Sequence, residues 1–195
     1  MITLADISEY QQSLNAGSYL AAGHHCIIVR AHNGYRPDNM WPGRRDYLRK
    51  FPFVAVGYYQ YLVGGRPSVD QAEDLIGTLG TLAHNEFVIC DSEEGSGFQG
   101  DRVREWTRII DSHFGFPSTV YASESWWGDK LGGASNWQGR PRWVAAYRSS
   151  EPTIPHELWQ NNDHSGLPGI VGDGGDGNIF NGSDLDFARI FLQPQ

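Results

Sequence analysis

Short apolar runs rich in β-branched and aromatic residues recur along the first two-thirds of the chain: ITLADI (2–7), HCIIVRA (25–31), FVAVGYYQYL (53–62), EFVICDS (86–92) and STVYAS (118–123). RWVAAY (142–147), ELWQN (157–161) and GNIF (177–180) continue the series. Runs of this kind, bounded by turn residues, read as strands. The gaps between the first five are long enough for a crossover helix joining parallel neighbours. Helix signals fill those gaps. Ser8–Gln11 and Ser68–Gln71 have capping-box spacing. After the second box, Ala72, Leu75, Ile76, Leu79 and Leu82 keep helical period. Asp101 is placed to cap a helix whose Val103, Trp106, Ile110 and Phe114 mark one face, with Gly115 as its stop. The basic run RRDYLRK (44–50) reads as the solvated face of a helix in the second unit.

Beyond residue 142 the pattern changes. The last strand candidates are separated by Pro/Gly/Asn/Asp stretches such as SSEPTIPH and NDHSGLPGIVGDGGDG, which read as loops. Five βα units followed by three strands without helices predict an α/β fold, a shortened TIM-like barrel of the (β/α)5(β)3 type. It would occupy residues 1–195 as one domain, below the roughly 250 residues usual for a complete barrel. A doubly wound open sheet is the alternative, and it does not account for a helix-poor C-terminal third.

Composition narrows the classes. With 19% charged and 39% hydrophobic residues among 195, the chain is globular rather than disordered. Seven Trp, nine Tyr and 24 Gly imply a loop-rich fold with aromatic surfaces. A net charge of −8 argues against nucleic acid or an anionic bilayer, which both need a basic footprint. Cys26 and Cys90 lie inside apolar runs and read as core thiols, not as a disulfide or metal site. No apolar run approaches the roughly 18 residues of a membrane span, so no membrane insertion is expected. MITLADISEYQQ has no basic segment followed by an apolar one, so no signal peptide is expected.

Candidate chemistry concentrates in EFVICDSEEGSGFQG (86–100). Gly95, Gly97 and Gly100 spell G-x-G-x-x-G, but a dinucleotide site needs the first strand–helix turn and an acidic residue about 20 positions on. Here the strand is the fourth, GFPSTV near 115–120 has no carboxylate, and Asp91, Glu93, Glu94 and Asp101 would repel a phosphate. No cofactor is predicted. Asp91 and Glu93 are two apart at a strand's end, so they project to the same side. In an α/β barrel that C-terminal edge is the active-site face. Neighbouring carboxylates cannot ionise independently, and the one kept protonated can act as a general acid for glycosidic cleavage. An acidic loop edge or salt-bridge cluster fits the same residues.

Other strand ends contribute. Asp6 closes the first strand and Asp176 precedes the last. Tyr59, Tyr61, Tyr121, Trp126, Trp127, Tyr147 and Trp159 gather at or just after strand ends, where aromatic faces can pack on sugar rings. His24, His25 and His84 lack metal-ligand spacing, and GDGGDGN lacks the oxygen positions of a calcium loop, so no metal is predicted.

D-I-S-x-x-Q near the start, IIVRA, VGYYQY, ICDSE, VYAS, WVAAY, LWQNND and GDGNIFNG together resemble the lysozymes (muramidases) of glycoside hydrolase family 25 over almost the whole chain. The resemblance implies a (β/α)5(β)3 barrel that hydrolyses the β-1,4 bond between N-acetylmuramic acid and N-acetylglucosamine of peptidoglycan. By position, Glu93 resembles the general acid, Asp91 its partner, Asp6 and Asp176 supporting aspartates, and Tyr59 and Trp159 aromatic site residues. Two positions depart from the pattern: Gln60, where the family often has His, and Gly177, where an aliphatic residue is usual. A chain of this kind looks most like the catalytic part of a phage lysin, held in the host cytoplasm before release, or a domain cut from a secreted protein. A monomer is expected, with wall binding supplied by a separate domain. A non-catalytic glycan-binding barrel, or a hydrolase of another N-acetylhexosaminide such as chitin, are the alternative readings.

Overall fold

The computed structural model describes residues 1–171 and 174–192. The elements in chain order are β1 (Ile2–Ile7), β2 (Ser13–Leu14), α1 (Ala16–Ala21), β3 (Cys26–His32), α2 (Gly43–Leu48), β4 (Ala55–Tyr61), α3 (Ser68–Leu79) and β5 (Glu86–Asp91). They continue with α4 (Gly100–Phe114), β6 (Thr119–Ser123), α5 (Glu124–Asp129), β7 (Arg142–Ala145), β8 (Leu158–Asn162), β9 (Ile170–Val171), β10 (Asp176–Phe180) and α6 (Asp184–Phe191). Eight strands close into a barrel in the order β1-β10-β8-β7-β6-β5-β4-β3. Strands from β3 round to β8 are parallel to their neighbours, β1 runs parallel to β3, and β10 is antiparallel to both β1 and β8. Helices α1 to α5 follow the first five parallel strands, so the shortened (β/α)5(β)3 barrel is the fold.

Strand alternation builds two cores. Ile2 and Leu4, Cys26 and Ile28, Ala55 and Tyr59, and Phe87 and Ile89 fill the barrel interior. The intervening Ile27 and Val29, Val56 and Tyr58, and Val88 and Cys90 face outward, against Leu75 and Leu79 of α3 and Val103, Trp106 and Ile110 of α4. Cys26 and Cys90 are free buried thiols, one in each core.

Several local features differ from their sequence-based expectation. Ser8 and Gln11 do bond each other, Ser8 N–H to Gln11 Oε1 at 2.7 Å and Gln11 N–H to Ser8 O at 3.2 Å, but they close a turn rather than begin a helix. The chain then enters β2, which pairs with β9, and α1 starts later under Asn15, whose side chain accepts from Ser18 N–H at 3.0 Å. Ser68 is the first residue of α3 and not its cap. Gln71 turns back to satisfy buried loop backbone, accepting from Val63 N–H at 2.9 Å and donating to Val63 O at 3.0 Å. Asp101 lies inside the first turn of α4 and does not cap it, whereas Gly115 at φ 83° ends that helix as its spacing predicts.

The basic run at 44–50 is not a solvated face, because Arg44 and Arg45 are buried. Arg44 donates to Ser8 O and Gln11 O, each at 2.6 Å, and so ties the β1 loop to α2. Arg45 and Arg49 converge on buried Glu86 at 2.9 and 2.8 Å, where Tyr58 also donates at 2.8 Å. Burial pushes the Glu86 carboxyl up, but the Arg49 and Arg45 hydrogen bonds outweigh it and hold the group at about 2.

The C-terminal part is also not free of helix. Ser183 and Asp186 form a reciprocal capping box for α6, whose Phe187 and Phe191 pack on Phe87 and Phe180. These contacts close the end of the barrel opposite the carboxylates. Asp at the fourth position, instead of Glu or Gln, hides this box from a motif search. Gly172 and Asp173 of the GDGGDGN stretch, considered above as a calcium loop, lie outside the described residues.

Candidate active site

Asp6, Asp91, Glu93 and Asp176 all line one cleft of about 250 Å3. Asp91 ends β5 and Glu93 follows it in the loop, while Asp6 stands near the end of β1. β10 runs antiparallel, so its first residue, Asp176, arrives at the same end of the barrel and pairs in register with Asp6. Tyr10, Arg30, Tyr59 and Tyr61 also face the cleft.

Two buried amides, not singled out from the sequence, organise the aspartates. Gln160 Nε2 donates to Asp6 Oδ2 and to Asp176 Oδ2, both at 3.0 Å. Its Oε1 accepts from Tyr121 OH at 2.6 Å and from Tyr147 OH at 3.0 Å. With both amide protons and the carbonyl engaged, the orientation of Gln160 is set by its partners. Asn178 works alike, donating to Asp6 Oδ2 at 2.7 Å and accepting from Trp143 Nε1 at 2.8 Å. Burial dominates at Asp6 and pushes it up to about 6, against the Asn178 and Gln160 hydrogen bonds and with help from the charge of Glu93. In the sequence Gln160 stands among other amides in LWQNN and Asn178 follows Asp176 and Gly177, so neither is marked out locally.

Asp91 and Glu93 share a hydrogen bond. Asp91 is held well above the ordinary carboxylate range, first by burial and then by the negative charge of Glu93. Glu93 is also pushed up, by burial, although the Asp91 bond opposes it. Glu93 is the more open to water, so desolvation acts most strongly on Asp91. As a pair they retain a proton to higher pH than isolated carboxyls do. Asp91 Oδ1 is buried and has no hydrogen-bond partner among the described residues.

The glycine loop after Glu93 is held by protein groups. Gln99 and Gly100 N–H both donate to Lys130 O, at 2.8 and 3.1 Å, which occupies the donors a phosphate would use. Arg102 donates to Gln99 Oε1, Val63 O and Arg66 O at 2.7, 2.7 and 2.8 Å. Gly64 lies against Gly95, where a Cβ would come within 2.8 Å of the Gly95 Cα.

The aromatic candidates divide. Tyr59 and Tyr61 line the cleft, and Tyr61 is pushed up to about 12 by burial and the neighbouring Asp91, Glu94 and Glu93. Tyr121 and Tyr147 reach the site through Gln160, Tyr147 with its ring 56% exposed. Trp126 is half-buried outside the barrel wall, donating to Ser92 Oγ at 3.3 Å, and Trp127 is core. Trp159 pairs with outward-facing Val144 and alternates with inward Leu158 and Gln160, so its indole lies on the outer face, donating to Ala146 O at 2.8 Å. The structure does not bring Trp126 or Trp159 to the cleft.

The family model described as "Glycosyl hydrolases family 25" matches residues 5–170. The chain belongs to this family. It is 25% identical over 207 residues to "Lysozyme M1" of Streptomyces globisporus, covering 91% of this chain and 67% of that one. It is 26% identical over 203 residues to the "N,O-diacetylmuramidase" of Chalaropsis sp, covering 91% and 93%. The catalytic domain of endolysin ply40 from bacteriophage P40 of Listeria monocytogenes superposes with a TM-score of 0.81 at 23% identity, covering 97% of each chain. As a family 25 glycosyl hydrolase the chain departs from the expected pattern at Gln60 and Gly177, and the structure shows what each does. Gln60 faces out of the barrel, accepting from Trp106 Nε1 at 2.7 Å, and is absent from the cleft. Gly177 makes room for its register partner Asn162, whose side chain a Cβ would meet at 2.6 Å.

Proposed function

We propose that this family 25 glycosyl hydrolase is a lysozyme that cleaves the β-1,4 bond between N-acetylmuramic acid and N-acetylglucosamine in peptidoglycan. The observation that carries the reading is the gathering of four carboxylates in one cleft, with Asp6, Asp91 and Glu93 all displaced toward the protonated form. Glu93, at the open side, gives its proton to the departing glycosidic oxygen and then takes one from the hydrolytic water. Asp91 accepts the N–H of the substrate's acetamido group, so that the acetamido oxygen can attack the anomeric carbon. Asp6 and Asp176, aligned by Gln160, face the positive charge that builds on the sugar. Tyr59 and Tyr61 line the cleft around the sugar, and Tyr121 and Tyr147 brace Gln160. The working state is the singly protonated Asp91–Glu93 pair, whose proton passes along their hydrogen bond to Glu93 for donation.

The test is release of reducing ends from purified peptidoglycan, with the products analysed by mass spectrometry. Muramic acid at the new reducing end is expected. N-acetylglucosamine there, activity on chitin alone, or no release would sink the reading. Glu93→Gln is expected to lower turnover by about 10²–10⁴-fold while leaving the thermal transition in place; near-native turnover would remove Glu93 from its role.

A further inference from the structure

Among the described residues four aromatic residues are exposed by more than half: Tyr10, Tyr35, Phe98 and Tyr147. Two of them have the same construction. Tyr10 is 68% exposed at the cleft, and the Arg30 guanidinium lies 5.2 Å from its ring centroid. Tyr35 is also 68% exposed, with the Arg66 guanidinium 6.0 Å from its centroid. Each arginine is fixed from behind. Arg30 is held by Asp38 at 2.8 Å and Glu9 at 2.7 Å, and Arg66 by Asp74 at 2.9 Å and the carbonyl of Gly34. Glu9 also binds Arg36 at 3.2 Å, so the residues preceding Tyr10 and following Tyr35 are joined across the two loops.

We propose that Tyr10 and Tyr35 form a landing surface for sugar rings of a glycan strand that runs out of the cleft over the β1 and β3 loops. The inference rests on the glycan-hydrolase reading above and extends it to chain length. A ring backed by a fixed cation is pre-ordered, so stacking a sugar on its open face costs little side-chain entropy. The cations here are matched by carboxylates, leaving a patch of little net charge on a chain of −8. Such a patch suits the apolar C–H face of an N-acetylglucosamine ring, the uncharged sugar of the strand, and gives no attraction for a polyanion such as an acidic peptide or nucleic acid.

The experiment measures binding of Glu93→Gln protein, with and without Tyr35→Ala, to peptide-stripped glycan strands and to a tetrasaccharide of the same sugars by calorimetry. Tyr35→Ala is expected to weaken binding of long strands about 3- to 10-fold and to leave the ratio of long- to short-chain affinity correspondingly smaller. Tyr35→Phe, which keeps the ring, should restore that ratio. No loss, or equal loss on both ligands, overturns the proposal. Because binding is read without turnover, a wild-type protein that released no muramic acid ends would defeat the muramidase reading alone. Hydrolysis without any Tyr35 dependence would defeat the landing surface alone.

Discussion

Asp6 is buried at the floor of the cleft and accepts from two neutral amides. Its carboxyl is pushed from 3.8 to about 6, so the folded protein binds this proton more tightly than the unfolded chain does. The sign follows: folding stability falls as pH rises from about 4 to about 6, by on the order of 3 kcal/mol. Urea unfolding at pH 4 and pH 7 should show a smaller fall in Asp6→Asn than in wild type. Gln160→Leu removes one of the two amides that lower Asp6, so the Asp6 titration should move further up in carboxyl NMR. The same change strands the buried Tyr121 hydroxyl and should destabilise the fold by about 1–3 kcal/mol. At the other carboxylate pair, both influences of Glu93 on Asp91 raise it, so Glu93→Gln should bring the Asp91 titration down. These residues were unequally legible in the sequence. Asp91 and Glu93 sit next to one another at a strand end, whereas Gln160 and Asn178 reach Asp6 across 154 and 172 positions of chain. An amide's role depends on what stands opposite it, and no local pattern encodes that.

Among the elements, α2 and α6 carry the largest departures from a local reading. α2 is short; its buried Arg44 anchors the β1 loop, and its buried Arg45, with the partly exposed Arg49 just after it, anchors Glu86 on β5. Glu86 contributes stability that is present above about pH 4.5 and is lost as pH falls toward about 2. Glu86→Gln leaves Arg45 buried without a charged partner and should cost about 3–5 kcal/mol at pH 7, read by urea or thermal unfolding. α6 is held by the Phe187 and Phe191 rings, stacked at 4.4 Å between centroids. Phe187→Ala opens a cavity at the barrel's closed end and should cost about 3–5 kcal/mol. Turnover below the transition should change little, since the carboxylates are at the opposite end. Strand existence was legible because alternation and turn residues agree. Strand parity was not: Tyr59 and Trp159 look alike in sequence, and only the closed register turns one into the barrel and the other out.

At the scale of the whole molecule, charge opposes the proposed substrate. A chain of −8 is repelled by an anionic cell wall, and the repulsion is screened by salt. Raising ionic strength from about 10 mM toward about 150 mM, where the Debye length shortens to about 8 Å, should therefore speed lysis of whole walls. It should change hydrolysis of short soluble fragments, which carry few charges, much less. Among the described residues no helix is long and apolar enough to cross a membrane. The barrel class was legible from the rhythm of strands and helices, but the antiparallel insertion of β10 between β8 and β1 was not, because sheet order is a long-range property. That insertion has a consequence for how the enzyme is lost on heating. Asp6 and Asp176 stand on the first and last barrel strands, on either side of the seam where the sheet meets itself. A partial opening along the seam would part the two aspartates while α3 and α4, packed together on the far wall, stay folded. Thermal inactivation should then begin below the temperature at which helical circular dichroism declines, and the gap between the two curves would measure how independently the seam opens.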